Sequence, residues 1–281
     1  MDPKGTDEMN VSQSAARDCP VCDASGRVPR PDYSLDPWCI VECTQCRMIY
    51  LENAPAQALL KTEYAWEGSK ADERTRRRQG RALYYAFSDS IKKIRDFFHR
   101  LRGLRKETRY IVTFSPGQHV LDVGCGSGNT LADLPEHFIP YGIEPSPGLC
   151  ATAHGIFAAR GGACIHDVAV GGFARLANRK FDFIVMRSFL EHDSEAMATL
   201  KAAHGALNEQ GGVLIKVPNM DCWNATLRKT GWPGMRYPDH VNYFTPTTLK
   251  RMLGNAGYSR VHMPLHWRLP TSDNLWAVAF R

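Results

Sequence analysis

The sequence predicts an α/β fold, a mostly parallel sheet covered by helices on both faces. Three observations carry this. From His119 onward, short apolar runs alternate with helical stretches. The first run ends in three glycines at alternate positions, and a Pro116-Gly117 break separates this whole region from a basic segment before it. Alternation of strand-length and helix-length patterns is the signature of strands joined by crossover helices.

Taken in order, residues 1–17 are polar and aperiodic and read as a disordered leader. Residues 18–58 hold a cysteine cluster and read as a metal-binding module. Residues 59–115 read as a helical, basic linker or cover. There Tyr84, Phe87, Ile91, Ile94, Phe98 and Leu101 recur at steps of three and four along one stripe. The strands of the main domain, 116–281, are read at 119–124, 140–145, 163–168, 181–188 and 212–219, with two more at 261–267 and 275–280. Helical stretches fall near 130–137, 147–159, 194–208 and 245–256, and Gly211-Gly212 sits where a helix stop is expected.

Composition narrows the function classes. The chain has 281 residues, 43% of them hydrophobic and 23% charged, which suits one large domain with small attachments rather than a disordered chain. No run approaches the roughly 18 apolar residues that span a bilayer. The first ten residues lack the basic-then-apolar pattern of a secretory signal, so a cytoplasmic protein without a membrane partner is expected. Residues 68–110 carry 14 Lys/Arg against 5 Asp/Glu, so the net charge of +6 belongs to that segment and the remainder is acidic.

The most informative segment is Asp122-Val-Gly124-Cys-Gly126-Ser-Gly128, a strand running into a glycine-rich turn and a helix. Glycines let a backbone approach a ligand closely, and a helix start offers free N–H donors. The dinucleotide fingerprint would need glycine at 129, where the chain has Asn129. Glu144 ends the next strand, 22 residues after Asp122, where a carboxylate can accept from both hydroxyls of a ribose.

With Tyr-Gly-Ile-Glu144, FDFIVMRSFLEH at 181–192, LNEQGGVLIKVPN at 207–219 and DHVNYFTPTTLKRML at 239–253, the chain resembles class I S-adenosylmethionine-dependent methyltransferases over about 165 residues. The resemblance implies a Rossmann-like sheet flanked by helices, with S-adenosyl-L-methionine as cofactor. It implies that Gly124, Gly126 and Gly128 face the cofactor's methionine and ribose, and that Asp122 fixes its amino group or the loop. Glu144 would hold the ribose, and Asp167 would be a candidate for the adenine amino group.

Cys19-Pro-Val-Cys22 and Cys43-Thr-Gln-Cys46 form two C-x2-C pairs separated by twenty residues. That spacing suits four thiolates around a structural zinc ion, closed to substrate. An odd total of nine cysteines speaks against a disulfide framework.

Two histidines fall where acceptors are expected, beyond strand carboxyl ends: Glu191-His192 after the fourth strand and His240 after the fifth. In methyl transfer the acceptor must be aligned and, where it carries a proton, deprotonated. Residues 220–243, with Trp223, Trp232, Pro233 and Tyr237, read as a lid or acceptor wall. A four-cysteine head on such a domain resembles the zinc-containing sugar C-methyltransferases, which carry Tyr-x-Glu-His with the histidine as base; here Phe189 stands in the tyrosine position. A small-molecule acceptor, a sugar or secondary metabolite, is therefore expected. Two other readings are a base methyltransferase for RNA, using the basic segment 74–106, and a non-catalytic zinc-containing scaffold.

Overall fold

The computed structural model describes residues 16–55 and 105–281. Residues 1–15 of the leader, the apolar stripe of 84–101 and nearly all of the basic segment lie outside the described residues. Arg17, at the end of the expected disordered leader, is instead held in the fold, its N–H donating to the Glu52 carbonyl and its guanidinium to Asn242 Oδ1 at 2.6 Å. The end of the expected linker is a helix, α1 (Lys106–Phe114).

The main sheet has seven strands: β4 (His119–Val123), β5 (Ile139–Glu144), β6 (Ala163–His166), β7 (Phe181–Arg187), β8 (Leu207–Pro218), β10 (Arg260–His262) and β11 (Asn274–Phe280). Their order is β10-β11-β8-β7-β4-β5-β6. The five strands from β6 to β8 run parallel, while β11 lies antiparallel to both β8 and β10. Strands of a doubly covered parallel sheet read as continuous apolar runs, and Phe183, Ile184, Val185 and Met186 are all fully buried in β7. The chain leaves β4 toward β5 and later returns to β7 on its other side. A crevice therefore opens at the carboxyl end of β4, where the glycine loop begins.

Helices α2 (Asn129–Ala132), α3 (Pro147–Ala158), α4 (Ala169–Arg175) and α5 (Ala196–Ala206) connect these strands. Further on, α6 (Trp223–Arg228) lies in the segment after β8, and α7 (Pro246–Asn255) precedes β10. Ser146 caps α3 by accepting from the Leu149 N–H, with Pro147 in the first turn, and a reciprocal Thr245–Thr248 pair caps α7.

A second, antiparallel sheet is built from β1 (Arg27–Pro29), β2 (Ile40–Cys43), β3 (Ile49–Leu51) and β9 (Asn242–Tyr243). The last of these comes from the main domain. Ile49 pairs with Tyr243 and Tyr50 with Asn242, so the cysteine module is joined to the large domain by a shared sheet.

Several local expectations are corrected. Gly211-Gly212 does not stop a helix: α5 ends at Ala206, and both glycines lie inside β8, where Gly212 pairs with Phe183 and Phe280. A Cβ on Gly212 would come within 3.2 Å of both aromatic side chains, so the glycine is there for packing. The expected helix at 130–137 is a single turn that ends before Pro135. The strand expected at 261–267 stops at His262, because Pro264 cannot extend the ladder and a 3-10 turn follows. Helix α4 was not expected, since Gly171-Gly172 weakens its helical pattern; Gly172 is placed against Ile143 where no side chain fits.

Candidate active site and candidate metal centre

A cavity of about 780 Å³ opens above β4 and runs from the glycine loop to the segment after β8. That is a size ordinary small-molecule sites have. Asp122, Gly124, Gly126 and Glu144 line one end; Glu191, His192, Asp239 and His240 line the other. Trp232, Pro233 and Gly234 contribute to its wall, as the sequence suggested for this stretch, whereas Trp223 lies outside it and is 61% exposed.

The three glycines sit at positive φ, +71° for Gly124, +55° for Gly126 and +83° for Gly128, which favours glycine at each. What surrounds them differs. A Cβ on Gly126 would meet nothing within 4 Å, so this is the open floor of the cavity. A Cβ on Gly124 would press to 2.8 Å from the Phe189 ring, and one on Gly128 would come within 3.1 Å of Phe157. Gly128 does not line the cavity and serves the packing of the loop on α3.

Two carboxylates flank this floor. Glu144 is buried and accepts from the Gly126 N–H at 2.8 Å and the Ser146 N–H at 3.0 Å. A carboxylate has about four lone-pair sites, so both oxygens keep capacity toward the cavity. Asp122 is 1% exposed, and its Oδ2 has no hydrogen-bond partner. Burial pushes its carboxyl up to about 7, against a partial offset from the Thr130 hydroxyl. An orphaned buried acceptor beside an open glycine floor fits an ammonium group, and the free N–H groups of a helix start fit polar ligand atoms. The site thus suits the amino-acid and ribose ends of S-adenosylmethionine. Asp167 is placed differently: its carboxylate accepts from the Val168 N–H at 2.7 Å and lies near Arg175, while Val168, Ala169 and Val170 line the cavity.

At the other end, His192 donates from Nδ1 to Asp239 Oδ1 at 2.8 Å. Asp239 is also ion-paired with Arg236. Burial works against a charged His192, but the Asp239 carboxylate prevails and holds it above the ordinary histidine value. His240 donates from Nδ1 to the Gly234 carbonyl at 2.8 Å; burial and the neighbouring His192 hold it well below that value. The two rings meet edge to face at 4.6 Å. Glu191 is 1% exposed and its Oε2 has no partner, so burial raises its carboxyl. Ser188, at φ +53°, holds a left-handed conformation uncommon for a side-chain-bearing residue at the rim of the same cavity.

The shared sheet holds this end in place. Leu51 N–H donates to the Val241 carbonyl, and the N–H groups of Val241 and Asn242 donate to the Glu191 carbonyl. Asn242 also donates from Nδ2 to the carbonyls of Leu190 and Asp193, at 2.8 and 2.7 Å. Asp239, Arg236 and Asn242 were not singled out in the sequence. Asp239 and Asn242 stood in the quoted segment 239–253 and Arg236 just before it, but only His240 was given a role.

In the cysteine module, one Sγ each from Cys19, Cys22, Cys43 and Cys46 lie within 4.8 Å of one another. Cys19 and Cys46 approach to 3.3 Å and Cys22 and Cys43 to 3.6 Å. Thiolates around a tetrahedral zinc stand about 3.8 Å apart, from a Zn–S bond near 2.3 Å. The two pairs have matching turns: Asp23 N–H donates to the Cys19 carbonyl and Arg47 N–H to the Cys43 carbonyl, with Asp23 and Arg47 both at positive φ. These four residues could hold a metal. Cys39 is exposed and lies outside the group.

The strand order and the glycine-floored crevice together define a class I methyltransferase fold. Residues 87–263, more than half of the chain, match the family model of a methyltransferase domain. No curated protein sequence matches the chain. A SAM-dependent methyltransferase from Archaeoglobus fulgidus superposes with a TM-score of 0.51 at 20% identity, covering 71% of this chain and 100% of its own. The CcbJ methyltransferase from Streptomyces caelestis gives 0.49 at 16% identity, over 62% of this chain and 92% of its own. An S-adenosylmethionine-dependent methyltransferase from Clostridium acetobutylicum gives 0.47 at 12% identity, over 69% and 98%. The chain belongs to the methyltransferase-domain family, and its fold is that of a SAM-dependent methyltransferase of known structure. No described helix is long and apolar enough to cross a membrane.

Proposed function

We propose that the chain transfers a methyl group to a small molecule, a sugar or secondary metabolite, bound beside Glu191, His192 and His240. The observation that carries this is the continuous cavity, with an open glycine floor at one end and a buried polar cluster at the other. S-adenosylmethionine supplies an electrophilic methyl group on a sulfonium. Asp122 would meet its ammonium, Glu144 would accept from its ribose hydroxyls, the Gly124–Gly126 backbone would border it and Val168 to Val170 would face the base, with Asp167 ordering the start of α4. His192, oriented by Asp239, presents Nε2 to the acceptor and takes its proton where one is lost. His240, fixed by the Gly234 carbonyl, holds the acceptor against His192.

The segment 18–58 is proposed as a structural zinc module held by Cys19, Cys22, Cys43 and Cys46. It supports the acceptor end through β3 and β9. The same cluster arrangement supports kinship of function with sugar-directed enzymes, although Phe189 offers no hydroxyl there. Of the basic segment, the two described cations are engaged within the protein: Arg105 pairs with Asp133 at 2.9 Å, and Lys106 lies 4.1 Å from the centre of the Trp276 ring.

The test is release of S-adenosylhomocysteine by the purified full-length protein, offered panels of sugars, phenols and hydroxy acids beside transcribed RNA. Turnover on a small molecule, reduced in His192→Asn, is expected. Turnover on RNA alone would overturn the reading. Tight cofactor binding without turnover on any of these acceptors would overturn it as well.

A further inference from the structure

The acceptor end of the cavity has the makings of a second cation site. Glu191 Oε2 is an ionisable oxygen buried without a hydrogen-bond partner. Such an atom is costly unless a charge, a proton or a metal meets it. Both imidazoles use Nδ1–H toward protein acceptors, His192 toward Asp239 and His240 toward the Gly234 carbonyl. Each neutral ring then carries its lone pair on Nε2. Histidines that ligate metals are held in this way, the far nitrogen donating to a carboxylate or a backbone carbonyl. One donor atom from each of the three side chains lies within 4.8 Å of the other two.

We propose that Glu191, His192 and His240 bind a divalent first-row transition-metal cation, at a site separate from the four cysteines. Two imidazoles and one carboxylate favour Mn²⁺, Fe²⁺, Co²⁺, Ni²⁺ or Zn²⁺ over Mg²⁺ and Ca²⁺, which take mostly oxygen ligands. Three protein ligands leave coordination positions open, and all three residues line the cavity. The open positions receive oxygens of the acceptor, which points to an acceptor with two adjacent oxygens, as in a vicinal diol, a catechol or a hydroxy acid. Asp239 and Arg236 then form the outer layer of the site: Asp239 orients His192, and Arg236 neutralises Asp239. The inference rests on the reading of these side chains as acceptor-activating. A bound cation would polarise the acceptor oxygen and lower its pKa, so that the proton leaves to solvent through the open cavity and His192 acts as a ligand in place of a base.

The experiment uses the full-length protein with its cysteine module zinc-loaded and weakly held metals removed by dialysis. Mn²⁺ is added as the probe, because it competes poorly for thiolates, and free Mn²⁺ is followed by electron paramagnetic resonance. Wild type is expected to bind one equivalent. Glu191→Gln and His240→Gln should each lose at least about tenfold in affinity, and Asp239→Asn about 10- to 100-fold, as outer-layer changes do. S-adenosylhomocysteine binding is measured on the same samples, so a variant that has lost its fold is recognised. No Mn²⁺ bound by wild type, or equal binding by wild type and the folded variants, overturns the proposal. Mn²⁺ binding without S-adenosylhomocysteine binding would uphold it and remove the methyltransfer reading instead.

Discussion

At the residue scale, Asp122 and Glu144 look alike in sequence and differ in their surroundings. Glu144 already accepts two backbone N–H groups, whereas one oxygen of Asp122 has no partner. Truncating Glu144 to Ala therefore removes a ribose acceptor and two loop contacts. Hydrogen bonds to charged groups contribute about 1.5–3 kcal/mol, so cofactor affinity should fall by more than about tenfold. Calorimetric titration checks this, and unchanged affinity would take Glu144 out of the ribose role. Asp122 gives a pH dependence. Its carboxyl, pushed up to about 7 by burial, is largely protonated at pH 6 in the cofactor-free protein. A bound ammonium favours the carboxylate and lowers that value. Binding should then release a proton at pH 6, and affinity should fall as pH drops below about 7. Titrations in buffers of different ionisation enthalpy measure the proton, and Asp122→Asn should abolish it. The two acids stood out in the sequence because one comes just before the glycine loop and the other ends the next strand, positions with a chemical reason for an acid. Asp239 was not, because its importance comes from reaching His192, 47 positions away in sequence.

At the element scale, strand existence was readable in the main domain, where apolar runs such as 183–186 alternate with helical stretches, but not in the cysteine module, where β2 and β3 are buried throughout and too short to show a pattern. Boundaries failed where glycine has two. Gly211-Gly212 resembles a helix stop by composition but lies within β8, where a Cβ on Gly212 would sit tightly, 3.1–3.2 Å from the Ala279 carbonyl and two aromatic side chains. The shared sheet was invisible in the sequence: two-residue β9 has no pattern of its own and exists because β3 offers it an edge. That pairing has a consequence. Replacing Cys22 by Ser should yield zinc-depleted protein whose acceptor end is disturbed, because β3 loses its support and Val241 and Asn242 are tied to both β3 and Glu191. Elemental analysis reads the metal and hydrogen exchange reads residues 240–243. A soluble variant with full metal content would contradict the four-thiolate centre.

At the scale of the whole molecule, the fold places two chemistries at opposite ends of one crevice. The strand order puts the glycine floor at the carboxyl end of β4. The cysteine module, through its sheet, holds the His240 segment across from it. If the floor of this crevice binds S-adenosylmethionine, a side chain at Gly126 blocks it. A side chain there would enter open space rather than the protein core, although its positive φ adds strain. Titration of S-adenosylhomocysteine into wild type and Gly126→Val, with folding of each verified by circular dichroism, is the decisive measurement. One bound equivalent is expected in wild type, and a loss of more than about tenfold in affinity, or about 1.4 kcal/mol, in the variant. No binding by wild type, or equal binding by both proteins, would contradict it.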